Sequence, residues 1–343
     1  MIITRTPFRI SFFGGGTDYP AWYTENGGAV LATSIDKYCY ISIRYLPPFF
    51  EHVHRIVYSR VEHVSSINEI KHPTVKAILN EFKPERGLEI HHDGDLPARA
   101  GLGSSSSFAV GLLNAINALN GRRSSKQSLA ERATHIEQKV MRENVGCQDQ
   151  ITTAYGGFNV IKFEPDGSKD ISPVIFDPIN IQHLGESMML FYTGVSRFAS
   201  EIAGEQLQNL NDRKLELKQI YEMVEEGIKI LERQTDPIKE FGKLLHESWV
   251  LKRTLAKAIT NSKINDIYDK GREAGAYGGK LLGAGGGGFI LFIAPKDKHL
   301  KIKDALSNLV YVNFKFDQGG SKVIVYDPED TESRQTDRLS DKF

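Results

Sequence analysis

The fold and function of this sequence are indicated above all by one stretch, Pro97-Ala98-Arg99-Ala100-Gly101-Leu102-Gly103-Ser104-Ser105-Ser106-Ser107. Glycines let a backbone approach a ligand closely and turn its N–H groups toward it. The serines then open the apolar segment 108–119, which we interpret as a buried helix, and a helix start favours an anion through its unpaired N–H groups and its dipole. The stretch therefore predicts a phosphate site. The alternative is an ordinary serine N-cap, although four serines exceed what capping needs.

Composition excludes several classes of function. The chain has 343 residues, enough for two lobes, and its 43 Lys+Arg balance its 43 Asp+Glu. Zero net charge gives no support to a nucleic-acid partner, and no apolar run reaches the roughly 18 residues that a membrane span needs. Residues 1–5 resemble a strand start rather than a signal peptide. Cys39 and Cys147 have no metal or redox spacing, so a reducing cytoplasm fits.

Hydrophobic periodicity and turn residues predict the elements. We expect strands at 39–45, 55–59, 88–92, 156–163, 187–192, 289–294, 310–316 and 322–326. We expect helices at 73–82, 108–119, 128 to about 142, 201–232, 241–259 and 263–276. Pro, Asp and Gly cluster within 166–185, which predicts a first lobe at 1–180, a second lobe at 181–330 and a mobile tail at 331–343.

An early strand ends in the triple-glycine turn 14–16, followed by Thr17 and Asp18. Arg9 places a fixed positive charge near this turn. A carboxylate such as that of Asp18 suits the hydroxyls of a sugar, because charged acceptors form stronger hydrogen bonds. The alternative is a tight turn with an aspartate cap.

Two carboxylates follow the Gly/Ser stretch. We interpret 128–131, Ser-Leu-Ala-Glu, as a capping box that starts a helix, and Glu137 lies beside the apolar face of that helix. A carboxylate there needs a partner, either Mg²⁺ or a neighbouring cation such as Arg132 or Lys139. Asp149 either caps a short helix or accepts and orients the proton of an attacking hydroxyl, as phosphoryl transfer requires.

The segment 278–289 holds four consecutive glycines, 285–288. Gly283, Gly285 and Gly288 formally match the dinucleotide fingerprint, but a helix-like segment precedes them and an apolar strand follows, the reverse of the required context. We interpret this loop as backbone that packs closely on a ligand or on the first lobe. The Walker A pattern is absent from the sequence, so a bound ATP would need a different phosphate cradle.

Taken together, the segments 5–19, 97–107, 146–150 and 280–288 resemble, in order, the motifs of the GHMP family of small-molecule kinases. The resemblance implies a two-lobe α/β (α+β) fold, with a ribosomal-protein-like βαβ first lobe and a ferredoxin-like second lobe. Within the family, the triple-glycine turn, the serine quartet and 279–284 are most similar to D-glycero-D-manno-heptose 7-phosphate kinases. L-fucokinases and galactokinase-like sugar 1-kinases share parts of this pattern. A non-catalytic sugar sensor on the same fold is a further alternative.

The resemblance implies ATP and Mg²⁺ as cofactors and a sugar phosphate, phosphorylated at its anomeric hydroxyl, as substrate. Oligomeric state, a homodimer included, is left open. Asp149 would contact the attacking hydroxyl, while Arg9 would stabilise developing negative charge or depress the pKa of Asp149. Ser105 and Glu137 would hold Mg²⁺, and a lysine base is excluded because Arg9 stands in its place. The residues that would bind ATP are Arg99, Ala100, Gly101, Leu102, Gly103, Ser104, Ser105 and Ser106. The residues that would bind the sugar are Thr17, Asp18, Gly285 and Gly286. The candidates for binding the sugar's own phosphate are Arg99, Arg197 and Lys280.

Overall fold

The computed structural model describes residues 1–47, 49–195, 199–233 and 237–328. The expected tail at 331–343 and Arg197 lie outside these residues. The strands are β1 Ile2–Phe13, β2 Gly28–Tyr45, β3 His54–Val57, β4 Val61–Val64, β5 Leu88–Gly94, β6 Phe158–Phe163, β7 Lys169–Pro173, β8 Met188–Tyr192, β9 Gly278–Leu281, β10 Phe289–Ile293, β11 Val310–Val312, β12 Phe316–Asp317 and β13 Lys322–Tyr326. The α-helices are α1 Pro20–Asn26, α2 Pro73–Phe82, α3 Ser104–Leu119, α4 Lys126–His135, α5 Gln148–Tyr155, α6 Pro178–Ser187, α7 Ala199–Gln208, α8 Lys214–Glu232, α9 Ile238–Leu255, α10 Ser262–Glu273 and α11 His299–Ala305.

The first sheet is built on the long strand β2, which pairs antiparallel with β1 along most of its length. The other edge of β2 is shared: its first part pairs with β6 and its last part with β5. β3 lies parallel to β5 and is connected to it through β4 and α2, which gives the expected βαβ connection. α3 packs on β1 and β2, and nearly every residue of α3 is buried. The sheet therefore holds the start of α3 beside β1.

The second sheet has the order β11-β8-β10-β9, with antiparallel neighbours throughout. Helices α7 to α10 separate β8 from β9, and α11 separates β10 from β11. This connectivity is the split βαββαβ arrangement, so the ferredoxin-like expectation for the second lobe is confirmed. The sheets do not divide the chain at one point near residue 180, because β12 pairs with β2 and β13 with β1. The last described strands thus belong to the first sheet.

Aromatic packing joins the two lobes. The rings of Phe12 and Phe13, at the end of β1, lie 5.4 and 5.1 Å from the ring of Phe241 on α9. All three are fully buried. α8 also contacts β1 and β2. The end of β1, and the triple-glycine turn after it, therefore lie where the second lobe packs on the first.

The element boundaries correct four expectations, three for helices and one for a strand. α4 begins at Lys126 because the Ser125 hydroxyl accepts a hydrogen bond from the Ser128 N–H, so a cap at 128 is wrong. The same helix continues as a π-helical turn, Ile136–Val140, rather than as an α-helix to 142. The predicted helix at 201–232 is interrupted by a 3₁₀ turn, Leu210–Arg213, which separates α7 from α8. The predicted strand at 310–316 is divided into β11 and β12.

Candidate active site

The Gly/Ser stretch forms a loop with left-handed backbone at Arg99 (φ +59°), Gly101 (φ +79°) and Gly103 (φ +73°). Gly103 occupies the N-cap position of α3 and has no side chain to cap the first turn. Ser104 instead accepts a hydrogen bond from the Arg99 N–H at 3.0 Å, which closes the loop. The N–H groups of the first turn thus lack a side-chain cap, as a phosphate cradle requires.

Arg9 and Asp149 form a bidentate ion pair at the mouth of this loop. Nε of Arg9 donates to Oδ1 of Asp149 at 2.7 Å, and Nη2 donates to Oδ2 at 2.8 Å. The Arg9 side chain is 5% exposed, whereas that of Asp149 is 27% exposed. Nη1 of Arg9 also donates to the carbonyl of Gly101 at 2.7 Å. Asp149 lies in the first turn of α5, where Cys147 is the N-cap residue, and its partly exposed carboxylate pairs with Arg9 rather than capping the helix.

Glu137 is fully buried in the π-helical turn after α4. Its carboxylate accepts hydrogen bonds from the hydroxyls of Ser105 and Ser106, each at 2.8 Å, and from the side-chain amide of Gln150. Burial raises the pKa of Glu137 to about 7, against the opposing effect of these three donors. Within the described residues neither Arg132 nor Lys139 forms an ion pair with Glu137, whose partners are Ser105, Ser106 and Gln150, and Arg132 pairs with Glu81 instead. The ion-pair alternative is therefore wrong.

The donor set around Glu137 fits Mg²⁺. Mg²⁺ prefers carboxylate and hydroxyl oxygens and is usually held by one or two protein ligands together with substrate phosphates. Ser105 and Glu137 offer such oxygens at the start of α3. Among the described residues, no group of three His, Cys, Asp or Glu side chains could hold a metal by itself. Gln150 was missed by sequence reasoning, because it lies next to Asp149 and has no motif of its own.

Asp18 and Thr17 lie deeper than a sugar contact would suggest. Asp18 is 1% exposed, and its carboxylate accepts hydrogen bonds from the N–H groups of Gly16 (3.1 Å) and Gln148 (3.2 Å). Burial, and then the nearby charge of Asp149, raise the pKa of Asp18. The hydroxyl of Thr17 is buried and donates to backbone carbonyls. Both side chains join the triple-glycine turn to neighbouring loops, so their sugar contacts remain predictions.

The second glycine-rich loop packs on the first. A Cβ at Gly283 (φ +73°) would lie 2.5 Å from Cα of Gly101, and the N–H of Phe289 donates to the carbonyl of Ala100 at 3.1 Å. The interpretation that this loop approaches the first lobe closely is confirmed. Gly286 instead donates its N–H to Ile259 at 2.8 Å, and Gly285 is also packed against Ile259. Their predicted contact with the sugar stays untested.

Two lysines of the second lobe lie beside this contact. Nζ of Lys252, on α9, donates to the carbonyls of Leu281 (3.4 Å) and Gly283. Nζ of Lys280, on β9, donates to the carbonyl of Phe12 at 2.7 Å, and the residue is 4% exposed. Lys252 was missed, although it continues the buried stripe of α9 after Leu245 and Ser248, where a cation is unexpected.

Of the residues considered for the sugar's own phosphate, Lys280 is therefore buried between the lobes. Arg99 is exposed on the Gly/Ser loop, and Arg197 lies outside the described residues. The charged groups that the structure brings together at the cleft are Arg9, Asp149, Lys252 and Lys280. None of the described helices is long and apolar enough to span a membrane.

Comparison with protein families gives two matches. Residues 68–157 match the model "GHMP kinases N terminal domain", and residues 228–312 match "GHMP kinases C terminal". A D-glycero-alpha-D-manno-heptose 7-phosphate kinase of Campylobacter jejuni is 28% identical over 335 residues, covering 94% of this chain and 98% of that protein. A galactokinase of Pyrococcus furiosus is 26% identical, covering 96% of this chain and 98% of that protein.

Solved structures share the fold. A structure described as a D-glycero-D-manno-heptose 1-phosphate kinase from Bacteroides thetaiotaomicron superposes with a TM-score of 0.71 at 24% identity, covering 95% of this chain and 100% of that one. A galactokinase of Lactococcus lactis in complex with galactose superposes with a TM-score of 0.68 at 17% identity, covering 94% of each chain. These likenesses establish the fold.

Proposed function

We propose that this chain, which belongs to the GHMP kinase family of ATP-dependent phosphotransferases, acts on D-glycero-D-manno-heptose 7-phosphate. It phosphorylates the anomeric hydroxyl of this sugar to give the 1,7-bisphosphate. Its acceptor is a sugar hydroxyl. The observation that carries the kinase chemistry is the Arg9–Asp149 ion pair at the uncapped start of α3, whereas the choice of sugar rests on the Campylobacter relative. The ion pair brings a proton acceptor and a fixed positive charge beside a phosphate cradle.

The chemistry follows from these positions. The acceptor hydroxyl lies against the exposed part of Asp149, whose carboxylate orients the O–H group and takes its proton as the new O–P bond forms. The bond between the γ-phosphorus and the bridging oxygen breaks, and ADP leaves. Arg9 holds the Asp149 carboxylate by two hydrogen bonds and adds positive charge near the phosphoryl oxygens. Because arginine is not deprotonated in proteins, Arg9 does not move the proton itself.

Ser105 and Glu137 would hold Mg²⁺, which when bound neutralises phosphate charge. Without the metal, only three neutral donors stabilise the charged form of the buried Glu137 carboxylate, and its pKa is raised to about 7. The Ser105 hydroxyl already points to Oε1 of Glu137, so both ligands are prearranged by one hydrogen bond. Ser104 is turned back to the N–H of Arg99, which favours Ser105 over Ser104 as the ligand.

The heptose 7-phosphate is supported by the Campylobacter relative, which matches nearly the whole length of this chain. The basic groups of Arg9, Lys252 and Lys280 outnumber the carboxylate of Asp149 here, which suits a reaction in which phosphates are present on both substrates. A galactokinase-like or L-fucokinase-like 1-kinase would use the same Arg9–Asp149 pair. The heptose, galactose and L-fucose kinases would therefore differ in the sugar that they phosphorylate and not in the mechanism.

The test is a measurement of ADP release over a panel of free sugars and sugar phosphates, with ³¹P NMR of the product. We expect turnover with D-glycero-D-manno-heptose 7-phosphate and a new phosphate signal coupled to the anomeric proton. Preferred turnover of galactose or L-fucose would replace the proposed substrate. No turnover with any sugar, despite ATP binding, would favour a sugar sensor.

A further inference from the structure

Lys252 and Lys280 are buried or half-buried ammonium groups whose partners are neutral. Lys252 donates to the carbonyls of Leu281 and Gly283, and Lys280 donates to the carbonyl of Phe12. Within the described part of the chain, neither lysine forms an ion pair with a carboxylate. A buried charge without a counter-charge is costly, so such a group either loses its proton or stays charged when an anion binds beside it.

The position of Lys252 is fixed by the contact between the two glycine-rich loops. Its ammonium is held at the carbonyl of Gly283, whose Cα packs against Gly101. The carbonyl of Gly101 in turn accepts a hydrogen bond from Arg9, the partner of Asp149. Lys252 thus lies on the second-lobe side of the Gly/Ser loop, and two residues, Gly283 and Gly101, connect it to the Arg9–Asp149 pair.

The electrostatics agree with this placement. Burial, and then the positive charge of Arg9, lower the pKa of Lys252 to about 7, and the negative charge of Asp149 opposes the shift. Burial also holds the pKa of Lys280 far below its usual range, with Lys252 and Arg9 adding to the effect. Three basic side chains, Arg9 with its fixed charge and two lysines of lowered pKa, therefore lie near Asp149, and a bound anion would favour the charged form of both lysines. A multiply charged anion would complete the site.

We propose that Lys252 binds the phosphoryl group in transit, at the γ-phosphate of ATP, from the second-lobe side of the cleft. The Gly/Ser loop and α3 hold the nucleotide phosphates from the first lobe, and Asp149 holds the acceptor hydroxyl. Lys252 then contacts an oxygen of the group that passes between them and stabilises its charge in the transition state. The inference rests on the proposed kinase function, but not on which sugar is the acceptor.

A phosphate at this position has two sources, the γ-phosphate of ATP or the phosphate that the sugar already carries. The geometry favours ATP, because Lys252 is fixed to the loop that packs on Gly101, within the stretch that cradles the nucleotide. If Lys252 bound the sugar's own phosphate instead, its substitution would raise only the KM for the sugar phosphate and leave nucleotide affinity unchanged. The two sources are therefore distinguished by nucleotide binding measured without any sugar.

The experiment compares the binding of ADP and of the non-hydrolysable ATP analogue AMPPNP, each with Mg²⁺, by isothermal titration calorimetry. The variants are Lys252→Met and Lys252→Arg, with Lys243→Met as a matched control, since Lys243 is an exposed lysine on the same helix. We expect Lys252→Met to weaken AMPPNP at least tenfold and ADP less than twofold. Lys252→Arg should restore part of the AMPPNP affinity, and Lys243→Met should change neither.

A structural role for Lys252 would weaken ADP and AMPPNP equally, because the loss of its bonds to Leu281 and Gly283 disturbs the loop for both nucleotides. Equal losses would overturn the proposal, as would unchanged AMPPNP affinity combined with a raised KM for a sugar phosphate. If Lys252→Met does not fold, the comparison of wild type with Lys252→Arg tests the proposal. The larger guanidinium group keeps the positive charge but fits the site less well, so it should lower AMPPNP affinity more than ADP affinity. The measurement needs no acceptor, so failure of the heptose assignment leaves it intact.

Discussion

Two carboxylates flank the Gly/Ser loop, and the protein treats them differently. Asp149 is paired with the guanidinium of Arg9 through two hydrogen bonds and keeps an exposed edge. Glu137 is fully buried, and its partners are two hydroxyls and one amide. The first arrangement pairs a partly exposed carboxylate with a fixed positive charge, and the second leaves a buried carboxylate without a positively charged partner. This difference supports the proposed roles of Asp149 as proton acceptor and of Glu137 as metal ligand.

The largest expected effect is that of Asp149→Asn on turnover. The amide keeps the size of the side chain and one hydrogen bond to Arg9 but cannot take a proton, so kcat should fall by about 10³-fold. Affinity for AMPPNP should change little. Steady-state kinetics and calorimetry measure the two quantities, with Asp269→Asn, an exposed aspartate on α10, as control. Near-normal turnover of Asp149→Asn would break the distinction between the two carboxylates.

Glu137 should make the stability of the metal-free protein depend on pH. Its pKa is raised from 4.5 to about 7 in the folded state, so the folded protein binds more protons than the unfolded chain between these values. Stability should therefore fall as pH rises from about 4.5 to 7, by about 3 kcal/mol from this group. Urea denaturation at several pH values measures it.

In Glu137→Gln this contribution to the pH dependence should disappear. Glu131→Gln, on the exposed face of α4, serves as the matched control and should retain the wild-type dependence. An identical pH dependence in Glu137→Gln and wild type would contradict the description of Glu137 as a buried carboxylate short of charge.

Gly283→Ala should disturb the Asp149 side of the site and not the Glu137 side. The new Cβ would lie 2.5 Å from Cα of Gly101, whose carbonyl binds Arg9. The matched control is Gly121→Ala, which has a similar φ of +68° but open space around the new Cβ. Both variants should lose about 1–2 kcal/mol to backbone strain. Gly283→Ala should lose at least about 1 kcal/mol more to the clash and bind ATP more weakly. Equal losses of stability would show that the loops separate readily.

The smallest effect concerns the helix that carries Glu137. Ser125→Ala removes the hydroxyl that caps α4 and should cost about 1 kcal/mol of unfolding free energy. Ser128→Ala should cost less, because this residue contributes its N–H and not its side chain to the cap. Thermal or urea denaturation compares the two. A larger loss for Ser128→Ala would restore the capping box at 128–131.

Much of the site was predictable because its signals are local. The glycines and serines of 97–107 indicate an anion cradle wherever they occur, and Glu137 is conspicuous as a carboxylate beside an apolar helix face. The buried helix α3 was likewise expected from its apolar residues, whereas the ferredoxin-like second lobe was expected only from the resemblance to the GHMP kinase family. The start of α4 was misplaced by two residues because Ser125 and Ser128 are both good caps, and only the folded chain selects one.

The remainder depends on contacts between distant segments. Lys252 enters the site because α9 packs on β9, and Gln150 because α5 lies beside the π-helical turn of Glu137. The return of β12 and β13 to the first sheet depends on pairing across some 300 residues of sequence. Neither spacing nor composition encodes such pairings.

The division of roles between Asp149 and Glu137 is tested most directly by measuring kcat as a function of Mg²⁺ concentration for wild type, Asp149→Asn and Glu137→Gln. We expect Glu137→Gln to shift the Mg²⁺ requirement upward by at least tenfold. Asp149→Asn should keep the wild-type Mg²⁺ midpoint at a kcat about 10³-fold lower. A shifted midpoint in Asp149→Asn, or a wild-type midpoint in Glu137→Gln, would contradict the assignment of proton transfer to one carboxylate and metal binding to the other.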